Sequence, residues 1–174
     1  MITSTPITTG TITAPTRAFT ATSTGLVGGT SQATAITTIA LCNVGTPDLT
    51  DETVESVNVN IYMVKSGSAA TPRNIIVSNL TIPAGETVFF SDERIILDGD
   101  DSVWIGATSG DVDTAGAFDV DRLYIIVSAG DTDFTLVGAA NSTPGTVFVA
   151  TGVGTGTGTA RKILVVSTVS TLPV

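Results

Sequence analysis

The sequence predicts an all-β protein, built as an antiparallel β-sandwich or jelly roll. Runs of strand-forming residues recur at intervals of roughly 8 to 14 residues, as in such folds. Turns rich in Gly, Asp and Asn separate these runs. Nowhere does an apolar stripe with a helical period persist over several turns, so no helix is expected.

The clearest strand is Val57–Val64, with the sequence VNVNIYMV. Its Val, Ile and Met residues alternate with Asn58, Asn60 and Tyr62, which is the two-residue period of a strand with one buried face. We expect further strands at 33–43, 75–83, 88–90, 94–97, 102–108 and 123–130, and three more strand-like pieces in the final third.

Residues 1–30 are rich in Thr, Ser, Gly and Pro, and we expect them to form an extended N-terminal arm. Two interpretations of this arm stay open. It is a disordered tail, or it becomes ordered by lying on a neighbouring subunit as an added strand. The sandwich domain is then expected at 31–128, followed by a C-terminal β-hairpin or strand extension at 129–174.

The charge of the chain limits its partners. Of 174 residues, 13% are charged, and 16 acidic against 7 basic residues give a formal net charge of −9. Nucleic acid and anionic membrane surfaces are both bound through Lys and Arg, so neither is expected as a partner. A surface made largely of Thr, Ser, Gly and Asn favours protein partners instead.

The residue types needed for catalysis are scarce. The chain has no His, which is the commonest general base and a common metal ligand. Its single cysteine, Cys42, has no His to activate it, and the apolar run around it predicts a small core residue. We therefore expect a protein that is not an enzyme, with no cofactor and with no catalytic or metal-binding residue.

Three groups of acidic residues are the remaining candidates that we consider for a metal-binding or catalytic site. Asp and Gly favour turns, because Asp caps its own backbone and Gly adopts positive φ. Turns are the favoured interpretation, a bound calcium ion is the second and a glycosidase-like pair of carboxylates is the third. The residues concerned are Asp98, Asp100 and Asp101 in DGDD, and Asp111, Asp113, Asp119 and Asp121 in DVDTAGAFDVD.

The run GVGTGTGTARK in the final third shares its Gly content with phosphate-binding loops. It lacks the GxxxxGK[ST] pattern, and no helix follows whose N-terminus would bind a phosphate. We expect a flexible loop or the tip of a β-hairpin.

Four elements of the sequence resemble a small β-sandwich module found in structural proteins of tailed bacteriophages. They are Leu41-Cys42-Asn43 at the end of a strand, Val57–Val64, Leu80–Thr87 with its AGET turn, and Leu97–Val103 with its GD turn. The resemblance extends over residues 33–128, and the long acidic loop at 44–56 departs from the pattern. It implies a sandwich in which AGET and GD are turns between strands.

A second segment, Thr132–Thr159, also resembles a recurring part of phage structural proteins, especially those of marine phages. Its sequence is TDFTLVGAANSTPGTVFVATGVGTGTGT.

The two resemblances imply a structural protein located in the virion, with other virion proteins as partners. A capsid decoration or cement protein bound to the major capsid protein is the first expectation. A neck, tail or fibre-base component is the alternative, and a homo-oligomer is expected in either role. The third possibility is a carbohydrate-binding module on a host-recognition fibre. It needs Trp104 as an exposed aromatic platform, whereas packing of Trp104 against one sandwich face is the favoured interpretation.

Overall fold

The computed structural model describes residues 1–8, 13–21, 33–46, 55–91, 95–108 and 110–173. These residues form antiparallel sheets and two short 3₁₀ turns, so the prediction of an all-β antiparallel protein is confirmed. None of their helical segments is long and apolar enough to cross a membrane. The strands are β1 (Ile2–Pro6), β2 (Thr16–Thr20), β3 (Thr34–Asn43), β4 (Val57–Val64), β5 (Ile75–Ile82), β6 (Thr87–Phe90), β7 (Ile95–Leu97), β8 (Ser102–Ala107), β9 (Val112–Thr114), β10 (Leu123–Ser128), β11 (Val147–Val149), β12 (Thr159–Lys162) and β13 (Val165–Pro173).

The chain divides into two compact units. Unit 1 comprises Met1–Thr108 and Val165–Val174, and unit 2 comprises Ser109–Leu164. Unit 2 is therefore inserted into the sequence of unit 1. This division differs from the predicted boundaries after residues 30 and 128, because it is set by strand pairing between segments that are distant in the sequence.

The first sheet of unit 1 has the order β1-β13-β3, and both β6 and β7 pair with the free side of β3. Alternate residues of β3 and β13 point into the core. Ile36, Ile39, Leu41 and Val169 are each at most 1% exposed. The residues between them are mainly Thr, Ser and Ala, which the opposite side of a sheet accommodates easily.

The second sheet of unit 1 has the order β2-β8-β4-β5. Val57, Val59 and Ile61 of β4 are fully buried, as are Val103 and Ile105 of β8. These three residues of β4 occur at every second position, as predicted. The prediction of a single buried face is wrong, because Asn60 and Tyr62 on the other face of β4 are also buried.

Asn43, the last residue of β3, joins the two sheets through its fully buried side chain. Its Nδ2 donates to the carbonyl oxygens of Glu55, at 2.8 Å, and Ile82, at 2.9 Å, and its Oδ1 accepts from the Gly45 amide at 2.8 Å. Because Ile82 ends β5 in the second sheet, this amide fixes the end of one sheet to the end of the other. A buried amide with all these partners stabilises a single arrangement, since any other would leave polar atoms unpaired.

The backbone of Asn43 also binds the turn formed by the AGET element. The Asn43 amide donates to the Glu86 carbonyl at 2.9 Å, and the Gly85 amide donates to the Asn43 carbonyl at 3.0 Å. Gly85 has a φ of 77°, a conformation that glycine adopts without steric strain. The Cys-Asn and AGET elements, which the sequence shows as separate features, thus contact each other.

The structure corrects the predicted N-terminal arm. β1 pairs with β13 along its whole length, β2 pairs with β8, and Ala18, Phe19 and Ala21 are buried. Thr has a high preference for strands, so a Thr-rich segment of low hydrophobicity still forms sheet edges. The remainder of the predicted arm, residues 9–12 and 22–30, lies outside the described residues.

The predicted C-terminal extension at 129–174 is also divided by the structure. Residues 129–164 belong to unit 2, whereas β13 lies between β1 and β3 in the first sheet of unit 1. Val165 and Val169 are buried there, so β13 is a central strand and not part of a terminal hairpin.

Unit 2 is a four-stranded sheet, in the order β11-β10-β12-β9, with an aromatic core. Phe118, Tyr124, Phe134 and Phe148 are each at most 4% exposed. Their ring centroids lie 5.3 to 6.1 Å apart in the contacting pairs. Rings at these distances add to the stabilisation from apolar burial, so four side chains supply much of the core of a small unit.

We predict that Asn43→Ala lowers the free energy of unfolding by about 3 kcal/mol, because it removes the partners of two carbonyls and one amide. Urea unfolding followed by circular dichroism measures the change. Asn141→Ala is the matched control: the exposed Asn141 accepts hydrogen bonds from Thr143 and Thr146, and its loss should cost less than about 1 kcal/mol. Equal losses at the two positions would contradict the linking role of Asn43.

Candidate functional site

DGDD forms the turn that connects β7 of the first sheet to β8 of the second. The Asp101 amide donates to the Asp98 carbonyl at 3.1 Å, and Asp100 has a left-handed φ of 68°. The turn also binds the residue after β2, because the Asp100 amide donates to the Ala21 carbonyl and the Ala21 amide donates to the Asp101 carbonyl, both at 2.8 Å. The geometry agrees with the predicted turn.

The Asp101 carboxylate is bound by the backbone of a neighbouring loop. Its Oδ1 accepts from the Ser66 amide at 2.9 Å. Within the described residues, no group of three or more His, Cys, Asp and Glu side chains is arranged to hold a metal ion. The oxygen atoms of Asp101 thus accept hydrogen bonds that hold the residue after β2 and the loop at Ser66 against the start of β8.

Lys162 places a positive charge beside the two D-x-D pairs of unit 2. Its Nζ lies 2.8 Å from Asp119 Oδ2 and 3.6 Å from Asp113 Oδ2. Lys162 is the last residue of β12, which pairs with both β9 and β10, so strand register brings its ammonium group to these carboxylates. Lys162 thus offsets part of the negative charge of Asp113 and Asp119.

Tyr124 links the same two aspartates. Its hydroxyl donates to Asp113 Oδ2 at 2.7 Å and accepts from the Asp119 amide at 3.0 Å. Burial of the ring raises the pKa of the Tyr124 phenol, so the phenol stays a neutral donor. The hydrogen bond from Lys162 lowers the pKa of Asp119, which stays an anion. Together these groups form a hydrogen-bonded network that positions the loop.

The other two aspartates contribute through their backbone. The Asp111 carbonyl accepts from the Lys162 amide at 3.0 Å. Asp121 has a left-handed φ of 67°, and its amide donates to the Ala150 carbonyl at 2.8 Å. Asp121 is thus a turn position, in agreement with the favoured interpretation. Asp111 and Asp113 are not turn positions, because Asp113 lies in β9 and the backbone of Asp111 pairs with Lys162 of β12.

The Gly-Thr run packs against the turn at residues 131–133, which differs from the predicted flexible loop or hairpin tip. Asp131 Oδ1 accepts from the Thr157 amide at 2.6 Å and from the Thr157 hydroxyl at 2.8 Å. The Gly158 amide donates to the Thr132 hydroxyl at 2.9 Å. The Thr157 and Gly158 amides are therefore already used as donors within the chain and are not free to bind a phosphate.

Two glycines of this run, Gly156 and Gly158, are required by close contacts. A Cβ atom on Gly158 would lie 2.4 Å from the Ala129 carbonyl oxygen and 2.7 Å from Phe134 Cε2. Gly156 has a φ of 111°, which only glycine adopts readily. The alternation of Gly and Thr in the sequence thus reflects packing over the aromatic core of unit 2.

Trp104 lies on the side of β8 opposite the buried Val103 and Ile105, and it is half-buried. Its Nε1 donates to Ser102 Oγ at 2.8 Å. The guanidinium carbon of Arg17, which the register places opposite Trp104, lies 4.7 Å from the ring centroid. Such a cation contributes about 0.5–1 kcal/mol at an exposed site and covers one face of the ring. That face is not available as a platform for a sugar.

Cys42 is half-buried on the outside of β3, which corrects its predicted place in the core. Its neighbours Leu41 and Asn43 are both fully buried. Because successive side chains of a strand point to opposite faces, the inward positions of Leu41 and Asn43 turn Cys42 outward.

The outer face is the side of the first sheet opposite the buried Ile36, Ile39 and Leu41. Strand register places the alternate residues of five strands on it. These strands, β1, β13, β3, β6 and β7, contain no Asp, Glu, Lys or Arg. The outer face consists of Ile2, Ser4, Pro6, Ala35, Thr38, Ala40, Cys42, Thr87, Phe89, Ile96, Val166, Thr168, Ser170 and Leu172.

Large apolar side chains are exposed on the outer face. Ile2 is 73% exposed, Phe89 65%, Ile96 62% and Leu172 59%. In the register, Leu172 and Ile96 flank Ala35, and a second row runs from Thr168 through Ala40 to Phe89. Several large apolar side chains exposed on one uncharged sheet face are typical of an interaction surface.

Sequence reasoning missed the outer face. Its residues come from five segments between Ile2 and Leu172, and only their pairing brings them together. The signal in the sequence is that β13, VVSTVSTLP, contains no charged residue at any position, including its outer-face residues Val166, Thr168, Ser170 and Leu172.

A separate apolar cleft of about 620 Å³ opens between the two sheets of unit 1. Every described residue that lines it is apolar, so these residues offer no side chain that would orient a polar ligand. The lining residues are Ile39, Ile61, Met63, Ile76, Val77, Phe90 and Ile95.

No protein-family model, curated protein or solved structure matches this chain. The similarity to phage structural proteins therefore stays a prediction from the sequence.

The pKa of Asp131 offers a test of the packed Gly-Thr run. Hydrogen bonds from the Thr157 amide and hydroxyl lower this pKa, and those from Thr135 lower the pKa of Asp133. We predict that Thr157→Val raises the pKa of Asp131 part of the way to its ordinary value of about 3.9, since the amide bond remains. Carboxyl chemical shifts followed by NMR against pH measure it. Thr135→Val is the matched control and should move Asp133 only.

The same shifts set a pH dependence. Both carboxyls have a lowered pKa in the folded protein, so the stability they contribute is fully present above about pH 4 and is lost as the pH falls through the folded-state values. Thr157→Val should therefore lose less of its stability than the wild type over that acid range. An Asp131 pKa that is identical with and without the Thr157 hydroxyl would contradict the packed run.

Proposed function

We propose that this chain is a virion structural protein of a tailed bacteriophage, and specifically a capsid decoration or cement protein. Its partners in this role are the major capsid protein and further copies of itself. The proposal is supported by the two sequence resemblances and by the outer face. We also propose that the two sheets of unit 1 form a β-sandwich, since buried residues of both sheets line one cleft.

The outer face is the observation that carries the proposal. A subunit of a shell needs a broad, stiff contact surface, and a five-stranded sheet supplies one. No charged residue of these strands has to be desolvated when the surface is covered, which removes a major cost of association. Ile2, Phe89, Ile96 and Leu172 supply the apolar area that favours it.

The acidic groups support the same role. Asp101 binds a backbone amide, and Asp113 and Asp119 bind Lys162 and Tyr124. These carboxylates stabilise loops within the chain. An arrangement of this kind suits a building block, whose task is to hold a fixed shape in an assembly.

A neck, tail or fibre-base component is the second form of the proposal, because the outer face would serve a ring equally well. A carbohydrate-binding module is less well supported. It would require an open aromatic ring, and Arg17 covers one face of Trp104.

Copy number per purified phage particle tests the proposal. We predict on the order of hundreds of copies, measured by quantitative mass spectrometry against the major capsid protein, because a cement protein follows the symmetry of the whole shell. About a dozen copies or fewer would assign the chain to the neck or tail. Absence of the chain from particles would contradict a virion role of any kind.

A further inference from the structure

We propose that a second copy of this chain covers the outer face, with the first sheets of the two copies packed face to face about a two-fold axis. This inference rests on the proposed function, which includes self-association, and it names the surface that is used. The arrangement would be a sheet-on-sheet contact of the type found inside β-sandwiches, with the two sheets about 10 Å apart.

The distribution of charge favours a second copy as the partner. Each chain carries a formal net charge of −9, so two copies repel each other wherever acidic surfaces meet. The strands that form the outer face carry no charge, so contact through them does not bring their own carboxylates together. A basic partner would be recognised by carboxylates, and these strands offer none.

The size of the outer face fits a stable dimer. β13 has nine residues, which at about 3.3 Å each span about 30 Å. Four strands side by side, at about 4.8 Å each, span about 19 Å. The resulting area of about 600 Å² per copy lies at the lower end of the range for specific protein interfaces.

The arrangement of large and small residues favours close packing of two such faces. The middle of the sheet carries small residues, including Ala40, Thr168 and Ser170, and they let two backbones approach. Ile2 lies on the β1 edge, and Phe89 lies on the opposite edge. Large residues at both edges would exclude water from the middle of the interface. Exclusion of water strengthens the interactions there.

Sedimentation velocity of the full chain tests the proposal. The wild type should sediment as a dimer at micromolar concentration, and the double variant Phe89→Asp, Ile96→Asp should dissociate at least about thirtyfold more readily, because two interface anchors become like charges. Leu136→Asp is the matched control, since Leu136 is 78% exposed in unit 2 and lies outside the outer face. It should leave the dimer intact. Thermal unfolding by circular dichroism checks that all three proteins fold.

The outcomes separate this inference from the proposed function. A wild type that stays monomeric at every concentration would overturn the inference, whereas its copy number in particles would still decide the proposed function. A dimer that survives the double variant but not Leu136→Asp would place self-association on unit 2, and would also overturn it. If the wild type is monomeric and the double variant no longer binds purified particles, the outer face contacts another virion protein. That result would also overturn the inference.

Discussion

The position of β13 is the constraint on which the rest of unit 1 depends. This last strand forms hydrogen bonds with β1 on one side and β3 on the other, so it joins the first residues of the chain to the middle of the sheet. Every segment between them, including the whole of unit 2, has to be accommodated before the sheet is complete. Contacts of such high sequence separation slow folding, but they produce a sheet in which β1 and β13 hold each other.

Asn43 supplies the second constraint. It explains why the Cys-Asn element and the AGET element, which are distant in the sequence, occur together. Its side chain binds Ile82 at the end of β5, and its backbone binds Gly85 and Glu86 in the next turn. The Cys-Asn and AGET elements therefore form one joint between the two sheets. In unit 2, contacts likewise explain the residues of the TDFT element. Asp133 accepts a hydrogen bond from the Thr135 amide, and Phe134 is buried in the core under the Gly-Thr run.

The all-β class and the buried positions of Val57, Val59 and Ile61 in β4 could be predicted because alternation within a strand is a local property of the sequence. Burial of Asn60 and Tyr62 on the other face could not, because it depends on what packs against that face. The turn at DGDD could be predicted for the same reason, since Asp and Gly determine local backbone conformation. The places of β1 and β13, and the boundaries of unit 2, depend on pairing between distant segments, which composition does not reveal. The apolar surroundings of Cys42 predict a core position, whereas the inward direction of Leu41 turns Cys42 outward. The outer face was missed because five uncharged segments become a surface only once they are paired.

The central claim is that the outer face is a protein contact surface, and Cys42 provides a natural probe of it. This single cysteine lies on the outer face between Val166 and Thr87 in the register. The most direct measurement is the rate at which its thiol reacts with a maleimide, followed by intact-protein mass spectrometry over a range of protein concentrations. The rate should fall several-fold as the wild type associates, and should stay at its dilute value in the Phe89→Asp, Ile96→Asp variant. A rate that does not change while the wild type associates would contradict the claim.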